Sequence, residues 1–140
     1  MIGGCKLFRN SGPPRWKFVD VTDQVGLEAE WSSGAWGDYN NDGYLDIFVP
    51  QFFIHSGKKD TLWRNSGPPD YVFTDVTDQS GDISDDWPTK NAVWFDYDLD
   101  GWLDLYVVNY ELWTTINKNF PDRLLHNQKG KFVDVTEKMG

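Results

Sequence analysis

The chain repeats itself, and the repeat limits what it can fold into. Leu7-Phe8-Arg9-Asn10-Ser11-Gly12-Pro13-Pro14 recurs as Leu62-Trp63-Arg64-Asn65-Ser66-Gly67-Pro68-Pro69, with a looser third copy in Leu124-Leu125-His126-Asn127. Each copy runs into a second block: Phe18-Val19-Asp20-Val21-Thr22, then Phe73-Thr74-Asp75-Val76-Thr77, then Phe132-Val133-Asp134-Val135-Thr136. The period is 55 residues from Leu7 to Leu62 and 62 from Leu62 to Leu124, the extra length falling in connecting segments, where insertions are tolerated.

Between successive copies lie two acidic stretches, Asp38-Tyr39-Asn40-Asn41-Asp42-Gly43-Tyr44-Leu45-Asp46 and Asp96-Tyr97-Asp98-Leu99-Asp100-Gly101-Trp102-Leu103-Asp104. Each has an oxygen-bearing side chain at positions 1, 3, 5 and 9 and Gly at position 6. That is the layout of a loop wrapped around a hard cation, with Ca²⁺ the first candidate. Positions 1, 3 and 5 offer carboxylate or amide oxygens, position 7 offers the backbone carbonyl of Tyr44 or Trp102, and Asp46 or Asp104 closes the shell. Gly permits the tight turn because it has no Cβ to clash at positive φ. Without a cation the clustered carboxylates would repel one another. With no Cys nearby and neither His in a loop, Zn²⁺ and Cu²⁺ are disfavoured; Mg²⁺ is less suited than Ca²⁺ because it prefers more water and fewer protein ligands.

An EF-hand opens the same way but needs a bidentate Glu at position 12, which here is Val49 or Val107, and it leads into a helix. These loops lead instead into Tyr44-Leu45-Asp46-Ile47-Phe48-Val49 and Trp102-Leu103-Asp104-Leu105-Tyr106-Val107-Val108, runs that read as strands. One period is therefore four short strands. The first ends at the loop (Gly34-Ala35-Trp36-Gly37 or Ala92-Val93-Trp94-Phe95), and the second leaves it. The third is Leu-x-x-Asn and the fourth is Phe-x-Asp-Val-Thr, with Asn-Ser-Gly-Pro-Pro as the turn between them. No helix of useful length is expected. Four antiparallel strands at this period predict an all-β chain of β-propeller blades. Residues 1–140 form a single segment with units at about 7–61 and 62–123 and a partial unit at 124–136. Counted from the loops, these are two full four-stranded repeats preceded by a half repeat.

The aromatic content, eight Trp, nine Phe and six Tyr, argues for a packed core. The net charge of −9 is concentrated in the seven loop carboxylates and is unlike the basic footprint of a nucleic-acid binder. Cys5 has no partner in the chain, so the redox compartment is open. The first residues have no apolar h-region and do not read as a signal peptide, and no apolar run is long enough to span a membrane.

The combined string of Leu-x-Arg-Asn, a Gly turn, Phe-x-Asp-Val-Thr and Trp-Gly-Asp-Tyr-Asn-Asn-Asp-Gly-x-Leu-Asp-Ile-Phe-Val resembles the FG-GAP/VCBS repeats of integrin-α-like propellers. It is most similar to the group that carries an ASPIC/UnbV domain, although no such domain is visible in this chain. The resemblance runs from Leu7 to Thr136. It implies Ca²⁺ in the hairpin between the first two strands of each blade. The implied ligands are Asp38, Asn40, Asp42, the Tyr44 carbonyl and Asp46, then Asp96, Asp98, Asp100, the Trp102 carbonyl and Asp104. It also implies an extracellular or periplasmic setting. Propellers close with four to eight blades, so the ring is incomplete in one chain. It would be completed by the remainder of a larger propeller or by head-to-tail homo-oligomers.

Trp36 and Trp94 are expected in the core or between blades, and Phe18, Phe73 and Phe132 in the core. The Asp and Thr of Asp-Val-Thr are expected to cap turns. The segments Gln51–Lys59 and Glu111–Phe120 differ between repeats, and Trp113 beside Asn117 is a candidate glycan contact. Nothing reads as catalytic: His126 occupies the Arg position of the other copies, a structural slot, and no nucleophile elbow or phosphate loop is present. The expected function is a Ca²⁺-binding module with a structural, binding or adhesion role toward a protein or glycan. The alternatives are a lectin-like propeller and the accessory blades of a larger enzyme.

Overall fold

The computed structural model describes residues 6–27, 33–52, 57–110 and 120–139. Its strands form three antiparallel sheets. The first pairs β1 (Phe8–Asn10) with β2 (Phe18–Asp20). The second runs in chain order through β3 (Ala35–Gly37), β4 (Asp46–Val49), β5 (Thr61–Asn65) and β6 (Phe73–Asp75). The third runs through β7 (Thr89–Phe95), β8 (Asp104–Asn109), β9 (Arg123–Asn127) and β10 (Phe132–Asp134). The all-β reading, the order of strands within a period and the leading half repeat all hold, and no ring closes. Among the described residues, helical structure is limited to single turns, α1 (Thr22–Val25), a 3₁₀ turn at Thr77–Gln79 and α2 (Thr136–Met139), each starting at the Thr that ends a Phe-x-Asp-Val-Thr block.

That block builds the same corner three times. Asp20 Oδ1 accepts bonds from the Thr22 N–H at 3.1 Å and the Thr22 hydroxyl at 2.7 Å. The Thr22 oxygen accepts the Leu7 N–H at 2.8 Å, and the Val21 N–H donates to the Leu7 carbonyl at 2.9 Å. Asp75, Thr77 and Leu62 repeat the set, as do Asp134, Thr136 and Leu124. The side chains thus stitch the fourth strand back to the start of the third, as the sequence predicts. At the first corner, donors from Lys6 and then Thr22 hold the Asp20 carboxyl down at about 2. Asn-Ser-Gly-Pro-Pro forms its turn with Gly12 and Gly67 at φ of 69° and 67°. The Asn10 and Asn65 side-chain oxygens accept the following Gly N–H, each at 3.0 Å.

The two complete sheets share one core. Phe48, Leu62, Leu105, Val107, Leu125 and Phe132 are buried together, spanning both blades. The inner strands β3 and β7 lie side by side: the Trp94 indole donates to the Ala35 carbonyl at 3.0 Å. The Asn127 amide donates to the Tyr39 carbonyl at 2.7 Å, and the Tyr39 ring lies 6.0 Å from that of Phe132. Trp94 is thus an inter-blade residue, in line with its sequence reading.

Two expectations about the core are corrected, for Trp36 is 43% exposed and the Phe set divides. Phe73 and Phe132 are core residues at 6% and 1% exposure, but Phe18 is 68% exposed. The reason lies in the neighbouring strands. Trp36 of β3 covers Phe73 with centroids 6.0 Å apart, and Trp94 of β7 covers Phe132 at 5.9 Å. Among the described residues the sheet of β1 and β2 has no inner strands, so Phe18 has no such cover there.

Candidate metal centre

Both acidic loops fold by the same bonds. The position-1 carboxylate bridges two backbone N–H groups. Asp38 accepts from Asp42 at 3.0 Å and Gly43 at 2.8 Å, and Asp96 accepts from Asp100 at 3.0 Å and Gly101 at 2.9 Å. At position 3, Asn40 and Asp98 accept the same Asp42 and Asp100 N–H groups, at 3.1 and 3.3 Å. At position 5, Asp42 accepts the Tyr44 N–H at 3.0 Å, and Asp100 accepts the Trp102 N–H at 2.8 Å. Gly43 and Gly101 both sit at φ 88°, as their position predicts. Position 4 is left-handed too, with Asn41 at φ 56° and Leu99 at 63°. Asn tolerates that conformation, but Leu does not favour it, so the loop imposes it. The result turns positions 1, 3 and 5 toward one another. In the second loop, carboxylate oxygens of Asp96, Asp98 and Asp100 all lie within 4.8 Å of one another.

Position 9 opens the next strand and is fully buried, with Asp46 and Asp104 both at 0% exposure. The Asn of Leu-x-x-Asn meets it there. The Asn65 N–H donates to Asp46 Oδ1 at 2.8 Å, and the Asn127 N–H donates to Asp104 Oδ1 at 2.7 Å. Their side-chain amides donate to the Leu45 and Leu103 carbonyls, at 3.1 and 2.8 Å. The repeat marks that Asn in the sequence, but its bond to the last loop residue becomes visible only when the second and third strands pair. Asp104 Oδ2 also accepts the Tyr97 N–H at 3.0 Å. Among the described residues, Asp46 Oδ2 has no hydrogen bond of good geometry, the counterpart Tyr39 N–H making at most a weak one. Burial first, then the charges of Asp42 and Asp38, against the backbone bonds from Asn65 and Tyr39, push the Asp46 carboxyl up to about 7. A buried carboxylate oxygen without a donor is costly. Since the loop supplies three further side-chain oxygens, a hard cation fits the donor set.

His126 is a residue of the second site that sequence reasoning placed elsewhere. It lies on β9, yet its Nδ1 is 3.2 Å from Asp104 Oδ1 and 3.6 Å from Asp98 Oδ2. Asp98, Asp104 and His126 form a second group of ligand-type atoms within 4.8 Å. The only signal for it in the sequence is that His replaces Arg at this place in the repeat. The second loop therefore faces a nitrogen donor, whereas the expectation was oxygen alone. Tyr44 and Trp102 enter the loops through the N–H bonds already given. The candidate glycan residues Trp113 and Asn117 lie outside the described residues. No helix among the described residues is long and apolar enough to cross a membrane.

Residues 3–49 match the family model of an FG-GAP-like repeat. The match takes in β1 to β4, including the first acidic loop, and the second period repeats the same order of elements. No curated protein matches the chain.

Proposed function

We propose that this chain is a Ca²⁺-stabilised set of propeller blades that serves binding or adhesion and has no catalytic activity of its own. The observation that carries this reading is the Asp46 carboxylate. It is buried, one oxygen has no well-formed hydrogen bond among the described residues, and it follows a loop whose positions 1, 3 and 5 gather their oxygens on the backbone N–H groups of Asp42 and Tyr44. Asp38, Asn40, Asp42 and Asp46 would hold one ion, with Asp96, Asp98, Asp100 and Asp104 holding the other. When bound, Ca²⁺ supplies charge neutralisation and fixes the hairpin between the first two strands of each blade. The same chemistry accounts for so much negative charge in two turns of a chain at −9 overall. The extracellular or periplasmic setting belongs to this reading, because Ca²⁺ sites of modest affinity, roughly 10⁻⁴–10⁻³ M, are filled there. Ring completion, by further blades or by head-to-tail copies, belongs to it as well.

Differential scanning calorimetry against free Ca²⁺ tests the reading. The melting temperature should rise with Ca²⁺ and fall with chelator, the stabilisation reaching about 2.7 kcal/mol per site at a hundredfold excess over Kd. Asp42→Ala and Asp100→Ala should each reduce the titrated stoichiometry by one ion. A melting temperature indifferent to both Ca²⁺ and chelator would refute the proposal.

A further inference from the structure

We propose that the second acidic loop prefers a first-row transition dication of the Zn²⁺ or Mn²⁺ class, and takes it through the His126 imidazole as well as its carboxylates. The inference rests on the second loop being a cation site, and it changes which cation belongs there.

The two loops share a fold but not a donor set. In the first, Asp38, Asn40, Asp42 and Asp46 offer oxygen alone, and the place of His126 is held by Arg64 on β5. A guanidinium has N–H donors and no lone pair to give a metal. The second loop departs from this twice. Asp98 stands where the first loop has Asn40, which adds a carboxylate. His126 on β9 stands where the first blade has Arg64, which removes a fixed cation and brings a nitrogen lone pair.

The geometry around His126 is that of ligands to one ion. Its Nδ1 lies 3.2 Å from Asp104 Oδ1 and 3.6 Å from Asp98 Oδ2. Two atoms bound to the same metal at about 2.1 Å stand about 3.0–3.4 Å apart. A charge-assisted hydrogen bond between imidazole and carboxylate is shorter, at about 2.7–2.9 Å. Nor does Asp104 depend on His126 for a donor. Its Oδ1 accepts the Asn127 N–H at 2.7 Å and its Oδ2 the Tyr97 N–H at 3.0 Å. Asp98 belongs to both groups of converging ligand atoms, Asp104 and His126 in one and Asp96 and Asp100 in the other, so it joins the imidazole to the loop. Tyr97, at position 2 of the loop, meets the His126 ring edge-on with centroids 5.7 Å apart and helps fix its orientation.

The donor set names the class of ion. Ca²⁺ and Mg²⁺ take oxygen ligands. Imidazole suits first-row transition ions, and carboxylates suit Mn²⁺ and are accepted by Zn²⁺. Four carboxylates with one imidazole are used in full by a transition dication, whereas Ca²⁺ leaves the nitrogen idle. The two loops of one chain therefore sort different ions.

Isothermal titration calorimetry on the full chain tests this, with Zn²⁺ and Ca²⁺ as the probes. Asp42→Ala leaves the second loop as the site that is read, and Asp100→Ala leaves the first. Cys5→Ser and His55→Gln in every protein remove the thiol and make His126 the one imidazole. The ratio of Zn²⁺ to Ca²⁺ affinity should be about tenfold or more higher at the second loop than at the first. His126→Gln is neutral and keeps a hydrogen-bonding side chain beside Asp104. It should erase that difference and leave Ca²⁺ affinity at the second loop within about twofold. Proton–nitrogen correlation spectra read ligation directly. The His126 Nδ1 resonance should shift on adding Zn²⁺ and not on adding Ca²⁺, a result that stands even where His126→Gln fails to fold. An equal ratio at the two loops, or one that His126→Gln leaves unchanged, overturns the proposal. So does an Nδ1 resonance that ignores Zn²⁺. Ca²⁺ at both loops with no dependence on His126 removes this inference and leaves the calcium reading standing. Zn²⁺ held through His126 in a chain whose melting ignores Ca²⁺ does the reverse.

Discussion

Asp60 shows how a single buried proton enters the energetics of this fold. It is fully buried; its Oδ1 accepts the Gln51 N–H at 2.6 Å, and its Oδ2 lies 2.8 Å from the Thr89 hydroxyl oxygen. That hydroxyl is also 2.9 Å from Asn109 Oδ1, and the Asn109 amide nitrogen is committed to the Pro121 carbonyl at 2.8 Å. Thr89 has one proton for two acceptors. Both contacts are satisfied only when Asp60 is protonated, so that it donates to Thr89 and Thr89 donates to Asn109. Burial pushes the Asp60 carboxyl up to about 7, Asp85 adding to the rise while the Gln51 and Thr89 bonds and Arg123 oppose it. The folded state therefore holds a proton that the unfolded chain has released above its ordinary carboxylate range. Stability from this group is fully present below about pH 4 and is lost as pH rises toward 7. Asp60→Asn supplies a permanent N–H donor to Thr89 and removes the titration. It should raise stability by about 1–3 kcal/mol at pH 8 and give no gain at pH 4. Asp46 titrates in the same window but is common to both proteins, so the difference between their melting curves isolates Asp60. Parallel pH profiles for the two proteins would rule this out.

Among the elements, the inner strands decide how blades sit together, and Gly37 packs directly against the Trp94 ring. A Cβ at Gly37 would stand 2.7 Å from the Trp94 ring, which donates its N–H to Ala35 two residues earlier on the same strand. Gly37→Ala should destabilise the chain by about 1–3 kcal/mol through that overlap. In the Trp94→Ala background the added methyl should cost almost nothing, and a double-mutant cycle on chemical denaturation reads the coupling. Additive effects would mean that the contact does not govern the seam. The strands themselves are legible in the sequence. Trp before each loop, Leu-x-x-Asn and Phe-x-Asp-Val-Thr mark β3 to β10 in order because each motif carries local bonding that its residues dictate. The loops are legible for the same reason, since Asp38 and Asp96 fold them through backbone groups four and five residues away. What escapes the sequence is contact between elements distant along the chain. His126 reaches Asp98 and Asp104 only because β9 lies beside β8. Phe18 reads as core because its motif matches Phe73 and Phe132, and nothing local records that its covering strands are missing.

At the scale of the molecule, those missing strands divide the chain into parts of unequal stability. The main core joins the two complete blades and includes Phe48, Leu62, Leu105, Leu125 and Phe132, each at most 1% exposed. A smaller cluster, with Val21, Val25 and Leu27 against Ile47, Val49 and Trp63, ties the half repeat to the first blade. Every residue of β1 and β2 is exposed, so the attachment runs through the corner after β2 and not through the strands. An isolated two-stranded sheet is marginal in water, and this one gains little from packing. It should therefore open without unfolding the blades, as a local event of low free energy. Native-state hydrogen exchange distinguishes the two parts. Amides of β4, β5, β8 and β9 should exchange at the rate set by global unfolding, and those paired between β1 and β2 about a hundredfold faster or more. Their protection should fall less steeply with denaturant, because local opening exposes less surface. Equal protection across all three sheets would mean that the half repeat is an integral part of the cooperative unit, held by more than the corner that joins it.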